Sequence, residues 1–291
     1  MILNEGGNIW PESTDYEQTV EMIDGLVQTT EEFVKEIGLK IYVIGSSATP
    51  TQNVFLGGEL IGIYREREQK FVPVKTYADK YNTGELPQGV ELKPKKSGDL
   101  DVMADLNDAA RFFKTKDGKT TRQALDDFLK AKDLKTHKAG VTVHTLIPYG
   151  EGFYQVDIKI VPKAEIVSRF HHHTIPPGSP YKGVNKQMML NTLASNNGFL
   201  WSPDEGLYKR DAAGKKAEFV SDDMNVIAQT LLGPNANADS LGSVESIMDA
   251  IPDEATRNAI FDKAKASSSW QAATPTVGTN EWFSRTLRML K

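Results

Sequence analysis

The sequence predicts a mixed-sheet α/β (α+β) core followed by a mostly helical carboxy-terminal domain. Up to Pro162, short apolar strands alternate with amphipathic helices. In "SGDLDVMAD" and "YQVDIKIVP" the apolar residues fall on alternate positions, with carboxylates on the others. Beyond Pro162 the apolar spacing is mostly helical. These observations place one domain at 1–165 and the other at 166–291.

The first element is a helix from Thr14 to Gly38. Thr14 and Glu17 form a capping box, Val20, Ile23, Val27, Val34 and Ile37 make the apolar stripe, and Gly38 is the stop. "KIYVI", Lys40 to Ile44, follows as a short buried strand and runs into "GSSATP". Residues 50–94 read as an insertion into the first domain, with "GGELIGIYREREQKFVPV" as a hairpin and mixed charges on a solvated face. From Asp99 a strand sets Leu100, Val102, Ala104 and Leu106 on one side and Asp99, Asp101, Met103 and Asp105 on the other. Thr121 to Lys132 is an amphipathic helix with Leu125, Phe128 and Leu129 inward. Two strands joined at Pro148 to Gly152 come next, the second pointing Tyr154, Val156, Ile158 and Ile160 to the core and Gln155, Asp157 and Lys159 away from it. Helices are expected over Gly183–Asn197, Asp222–Leu232, Ser243–Ala250, Pro252–Ala266 and Asn280–Met289, with Ser221 and Ser243 as caps and "SSSWQAATPTVGTN" as a linker.

Composition narrows the chemistry. The 291 residues hold 34 Lys and Arg against 39 Asp and Glu, a net charge of -5, so indiscriminate binding to nucleic acid is disfavoured and any polynucleotide must be held locally. The absence of cysteine removes disulfides, zinc-thiolate sites and thiol nucleophiles together. No apolar stretch approaches a membrane span and the first residues do not resemble a secretion signal. A soluble cytoplasmic protein with no membrane partner is the expectation.

Asp99 and Asp101, at i and i+2 on a strand, lie on one side and can share a cation, and Asp157 from a neighbouring strand completes a site for two. Oxygen ligands of this kind suit Mg2+ or Mn2+ and leave positions for phosphate oxygens. The chemistry implied is in-line phosphoryl or nucleotidyl transfer. A lone Asp-x-Asp is a weak signal. Here Gly45 and Ser46 end a strand at a turn whose backbone N–H groups can face a triphosphate, and Ser97 with Gly98 forms a second tight approach.

Taken together these motifs resemble the polymerase-beta-like nucleotidyltransferases, in particular their family X polymerase branch. "IGSS" resembles the hydrophobic-Gly-Ser signature, "SGDLDVMAD" the metal-binding strand, "VDIKIVPKAEI" the strand of the third aspartate, and "PPGSPYKGVNKQMMLNTLASNNGFLWSPDEGLY" the later Gly-Ser turn and Asn-bearing helix. The resemblance implies that Asp99, Asp101 and Asp157 hold two Mg2+ or Mn2+ ions, and that Asp157 assists deprotonation of the acceptor. It further implies that Gly45, Ser46 and Gly98 contact the phosphates of an NTP or dNTP, and that Gly178 and Ser179 flank sugar and base, with Asn185 at the base edge. The arginine usual after the first Gly-Ser is missing, so Lys95, Lys96 or Lys182 supplies the phosphate charge. Asn185 lies two places further from Ser179 than the family pattern sets it, and the 50–94 insertion separates Gly-Ser from the paired aspartates. A looser resemblance, up to Tyr208, is to nucleotidyltransferase-like proteins of tailed bacteriophages, which implies the host cytoplasm.

The expected activity is transfer of a nucleoside monophosphate to a hydroxyl acceptor with release of pyrophosphate, the acceptor being a 3' end of RNA or DNA. Competing readings are nucleotidylation of a protein side chain and a non-catalytic virion or assembly protein of the same fold. The run His171 to His173 does not read as a metal site, because consecutive side chains cannot converge on one ion. His144 reads as a satisfied interior residue, and Tyr181 as either a base-stacking or a packed ring.

Overall fold

The computed structural model describes residues 9–113, 119–171, 176 and 179–273. The chain divides into two compact units, Met1–His172 and His173–Lys291.

In the first unit, strand β1 (Tyr16–Glu17) precedes helix α1 (Val20–Val34), and β2 (Ile41–Val43) runs into a single helical turn, α2 (Gly45–Ala48). The 50–94 segment folds as β3 (Thr51–Leu56), β4 (Glu59–Arg65), β5 (Lys70–Pro73) and β6 (Glu91–Pro94). Then come β7 (Lys96–Ser97), β8 (Asp99–Asp105), α3 (Leu106–Phe112), α4 (Thr121–Lys130), β9 (Lys135–Ala139), β10 (Thr142–Tyr149), β11 (Gly152–Val161) and α5 (Ala164–Phe170).

The central sheet has the order β2-β8-β11-β10-β9. Only the β8–β11 pair is parallel, which makes the sheet mixed. Leu100, Val102 and Ala104 of β8 and Val156, Ile158 and Ile160 of β11 are buried with Ile23 and Leu26 of α1 and Leu125 and Leu129 of α4. Alternation therefore sends one face of the sheet entirely into the main core. The other face is covered at one end, where Met103 and Val161 pack on Ala164 and Val167 of α5. The carboxylates occupy the opposite end of that second face.

Helix α1 begins later than the sequence predicts. Thr19, not Thr14, is its cap and accepts from the Met22 amide, because Tyr16 and Glu17 are drawn into a strand pairing with Ser97 and Lys96. Its stop is as expected, with Gly38 left-handed at φ 62°. Strand β8 ends one residue short of Leu106, since Asp105 caps α3 and also accepts from the Ala164 amide. The insertion is more than a hairpin: it is a four-stranded antiparallel sheet of order β5-β4-β3-β6 with a core of Val54, Ile61 and Phe71.

Among its described residues the second unit is mostly helical, as expected, but it also holds a small sheet that the spacing did not predict. After α6 (Gly183–Asn196), strands β12 (Phe199–Ser202), β13 (Gly206–Arg210) and β14 (Lys216–Ser221) form an antiparallel sheet. Alternating Leu200 and Tyr208 with turns at 203–205 and 211–215 is strand chemistry that the surrounding helical spacing hid. Helices α7 (Met224–Leu232), α8 (Val244–Ala250) and α9 (Glu254–Lys265) follow. Ser243 caps α8 as expected, but Asp223 rather than Ser221 caps α7, and Ser221 accepts from the Asp223 amide instead. Part of the expected linker is helical, as α10 (Ser268–Ala273). The helix expected over Asn280–Met289 lies outside the described residues. Among the described residues no helix is long and apolar enough to cross a membrane.

Gly62 shows how tightly the insertion is packed: a Cβ there would stand 2.5 Å from the Val72 carbonyl oxygen and 2.4 Å from the Phe71 ring. Gly62→Ala should therefore destabilise this sheet by about 1–3 kcal/mol. Limited proteolysis should show new cleavage within 50–94, and cleavage indistinguishable from the unsubstituted protein would refute the packing argument.

Candidate active site

Two adjacent strands place the three carboxylates. In the parallel pairing of β8 with β11, Asp157 stands opposite Asp101, and Gln155 opposite Asp99. Neighbouring strands lie about 4.8 Å apart and i, i+2 residues about 6.6 Å apart along a strand, so the three side chains rise from one small area. Asp101 keeps 36% of its side-chain surface open, whereas Asp157 keeps 11%.

Like charges this close raise each other's proton affinity. The Asp99 carboxyl is pushed up to about 7, first by burial and then by the charges of Asp101 and Asp157. Asp101 is also raised, chiefly by burial, with the Lys159 ammonium acting the other way. Lys159 Nζ lies 4.0 Å from Asp101 Oδ1. Asp157 is held more firmly: its Oδ1 meets His144 Nδ1 at 2.7 Å and accepts from Gln155 Nε2 at 2.9 Å. In turn the Asp157 carboxylate lifts His144 above the usual histidine range. His144 faces Asp157 in the β10–β11 register and stacks on His137, so the interior reading of this histidine agrees with its 16% side-chain exposure.

The Gly-Ser turn closes the site from the other side. Antiparallel pairing of β2 with β8 is continued by the Ile44 amide, which donates to the Asp101 carbonyl at 3.0 Å. Gly45 follows at φ 64°, and a Cβ on it would lie 3.3 Å from Asp101 Oδ2. Glycine is needed here both for the left-handed backbone and for the close approach. Ser46 is exposed and its Oγ accepts from Gln18 Nε2 at 2.7 Å, while Ser47 is buried against the Tyr16 hydroxyl at 3.2 Å.

The Tyr16 hydroxyl donates to the Asp99 carbonyl, which also accepts from Ser97 Oγ at 3.0 Å. Burial pushes Tyr16 up to about 12, so it remains a donor at ordinary pH. Ser97 is thus committed to the backbone of the carboxylate strand, and Gly98 makes the bend between β7 and β8. Lys96 pairs with Glu17 across β1 and β7, and the Lys95 carbonyl accepts from the Gln18 amide. One end of the sheet therefore gathers Asp99, Asp101, Asp157, Gly45, Ser46, Ser97 and Gly98.

The remaining expected residues belong to the second unit. Ser179 accepts from the Tyr181 amide and Lys182 precedes α6. Asn185 is fully buried and its Oδ1 accepts from the Lys182 amide, which commits that oxygen to the helix start. Gly178 lies outside the described residues, as do His172 and His173. Tyr181 packs against Phe261 and Trp270, which favours the packed-ring reading. Nearby Lys186 is only 3% exposed, and burial brings its ammonium down to about 8.

Sequence reasoning missed Tyr16, Gln18, Ser47 and Gln155. Strand alternation sets Gln155 on the face of Asp157 but gives it no role there. Tyr16 and Gln18 were hidden by a capping pattern that began a helix too early.

No protein-family model matches the sequence, and no curated protein matches it significantly. The functional reading rests on the site itself. Among the described residues no three His, Cys, Asp or Glu side chains already converge as a cage for a metal ion. The donor set nevertheless fits a hard divalent cation in kind, being all carboxylate oxygen, and the Asp99 carboxyl is raised by burial and by the neighbouring carboxylates, both of which a bound cation would offset.

A carboxyl raised from an unfolded value of 3.8 to about 7 favours folding while protonated. That contribution is complete below about pH 3.8 and fades as pH rises through about 7. With chelator present, Asp99→Asn should flatten this decline and raise the melting temperature at pH 8 relative to the unsubstituted protein. A lower melting temperature for the variant at pH 8 would show that the repulsion is absent.

Proposed function

We propose that this protein is a divalent-metal-dependent nucleotidyltransferase with a polymerase-beta-like catalytic core. It transfers a nucleoside monophosphate from an NTP or dNTP to a hydroxyl acceptor and releases pyrophosphate. One observation carries the reading: Asp157 stands in register with Asp101 on parallel neighbours, beside a left-handed Gly45 that abuts Asp101.

Asp99, Asp101 and Asp157 would hold the ions, which when bound supply positive charge to the triphosphate and lower the acceptor's proton affinity. The Gly45–Ser46 turn offers a backbone without a Cβ and an exposed hydroxyl to the phosphates. In the reaction the acceptor oxygen bonds to the α-phosphorus as the bond from that phosphorus to the β-phosphate's bridging oxygen breaks, and pyrophosphate departs. The acceptor proton passes to the Asp157 carboxylate, whose orientation His144 and Gln155 maintain. Lys159 Nζ, 4.0 Å from Asp101 Oδ1, would offer positive charge to the phosphates.

The acceptor we favour is a nucleic-acid 3' end. At a net charge of -5 the protein has no general attraction for nucleic acid, so the acceptor must be gripped locally.

Incubation with each labelled NTP and dNTP, Mg2+ or Mn2+, and RNA or DNA ends should release pyrophosphate and lengthen an oligonucleotide. Label confined to polypeptide would redirect the reading to protein nucleotidylation. Asp101→Asn should lower turnover by about a thousandfold or more, the scale seen when a key electrostatic group is removed. Its melting temperature should not fall, because its core neighbours Leu100 and Val102 are untouched. Turnover within twofold or so of the unsubstituted protein would remove Asp101 from the chemistry.

A further inference from the structure

The turn "GSSA" carries two adjacent serines with opposite fates. Ser47 is 2% exposed and its hydroxyl is spent on Tyr16. The Tyr16 hydroxyl donates its hydrogen bond to the Asp99 carbonyl, so within this chain Ser47 donates to Tyr16 and is unavailable to a ligand. Ser46 is exposed, and its Oγ takes a hydrogen bond from Gln18 Nε2 at 2.7 Å. Gln18 is only 3% exposed and is anchored through its backbone amide on the Lys95 carbonyl at 2.6 Å.

A serine hydroxyl has one proton and two acceptor positions. When a buried amide N–H fills an acceptor position, the Ser46 proton must point elsewhere, and Ser46 is exposed to receive a ligand. Phosphate oxygens only accept hydrogen bonds, so the ligand needs that proton. We infer that Gln18 is a positioning residue that orients the Ser46 hydroxyl as a donor to the phosphates of the incoming triphosphate. The inference rests on the triphosphate-binding part of the proposed function and not on the transfer step. It also assigns a role to β1: the strand delivers Gln18, the residue after it, to the Lys95 carbonyl and Ser46, and a helix beginning at Thr14 would not.

The substitutions divide the possibilities. Gln18→Met keeps the shape and removes the donor, whereas Gln18→Glu can only accept and captures the Ser46 proton. Binding of magnesium tripolyphosphate, followed by calorimetry, should weaken about threefold in Gln18→Met and about tenfold or more in Gln18→Glu, the scale of one hydrogen bond lost and one reversed. Ser46→Ala should also weaken it about tenfold, and adding Gln18→Met to Ser46→Ala should cost nothing more. In pyrophosphate-release assays the loss should fall on KM rather than kcat.

Full additivity in the double variant, or unchanged binding in Gln18→Glu, would overturn the inference. So would a loss that tracks a lower melting temperature in Gln18→Met and is equally present in Ser46→Ala with Gln18→Leu. Nucleotide turnover with an unchanged KM in Gln18→Met would leave the proposed function standing and remove Gln18. Tripolyphosphate binding that depends on Gln18 and Ser46, with no pyrophosphate release from any nucleotide, would do the reverse. Failure of the unsubstituted protein to bind tripolyphosphate would overturn both.

Discussion

Three carboxylates crowded on one end of one sheet face are the dominant constraint on the first unit. Together they repel, and the protein offsets that repulsion locally. Lys159 approaches Asp101, and His144 and the Gln155 amide hold Asp157. Asp99 receives hydrogen bonds at its carbonyl from Tyr16 and Ser97, and its carboxyl is pushed to about 7. The unevenness suits a site that is completed by cations, since a fully neutralised cluster would have little affinity left to give.

Such a cluster can persist only on a rigid support. The opposite face of the same strands supplies it, with Leu100, Val102, Val156 and Ile158 buried under α1 and α4. Because alternation in a strand is strict, the residues that anchor β8 and β11 in the core also dictate where Asp99, Asp101 and Asp157 point. The open end of the carboxylate face exists because α5 covers only the far end, on Met103 and Val161.

The amino-terminal segment ties the parts together. The Ile9 amide donates to Gln155 Oε1, Ser13 Oγ accepts from the Gln155 backbone amide, Tyr16 reaches Asp99 and Ser47, and Gln18 reaches Ser46. One short polypeptide stretch thereby touches β8, β11 and the α2 turn, the three elements that form the site. It also clamps the exit of the insertion at Lys95 to Ser97, so the long detour between Gly-Ser and the paired aspartates returns to a defined place.

What the residues determined by themselves was periodic: the facing of β8 and β11, the helix stop at Gly38, the cap at Ser243 and the gathering of carboxylates on one face. These follow from local backbone geometry, which repeats every two or 3.6 residues regardless of distant neighbours. What only the tertiary structure decided was non-local. Tyr16 and Glu17 became a strand, and Tyr16 and Gln18 hydrogen-bond donors, because Ser97 and the Gly-Ser turn, remote in sequence, competed successfully with a helix start. In the same way Phe199 to Ser221 became a sheet within a helical stretch through pairing between strands, and the parallel register that sets Asp157 against Asp101 depends on a crossover no local pattern encodes.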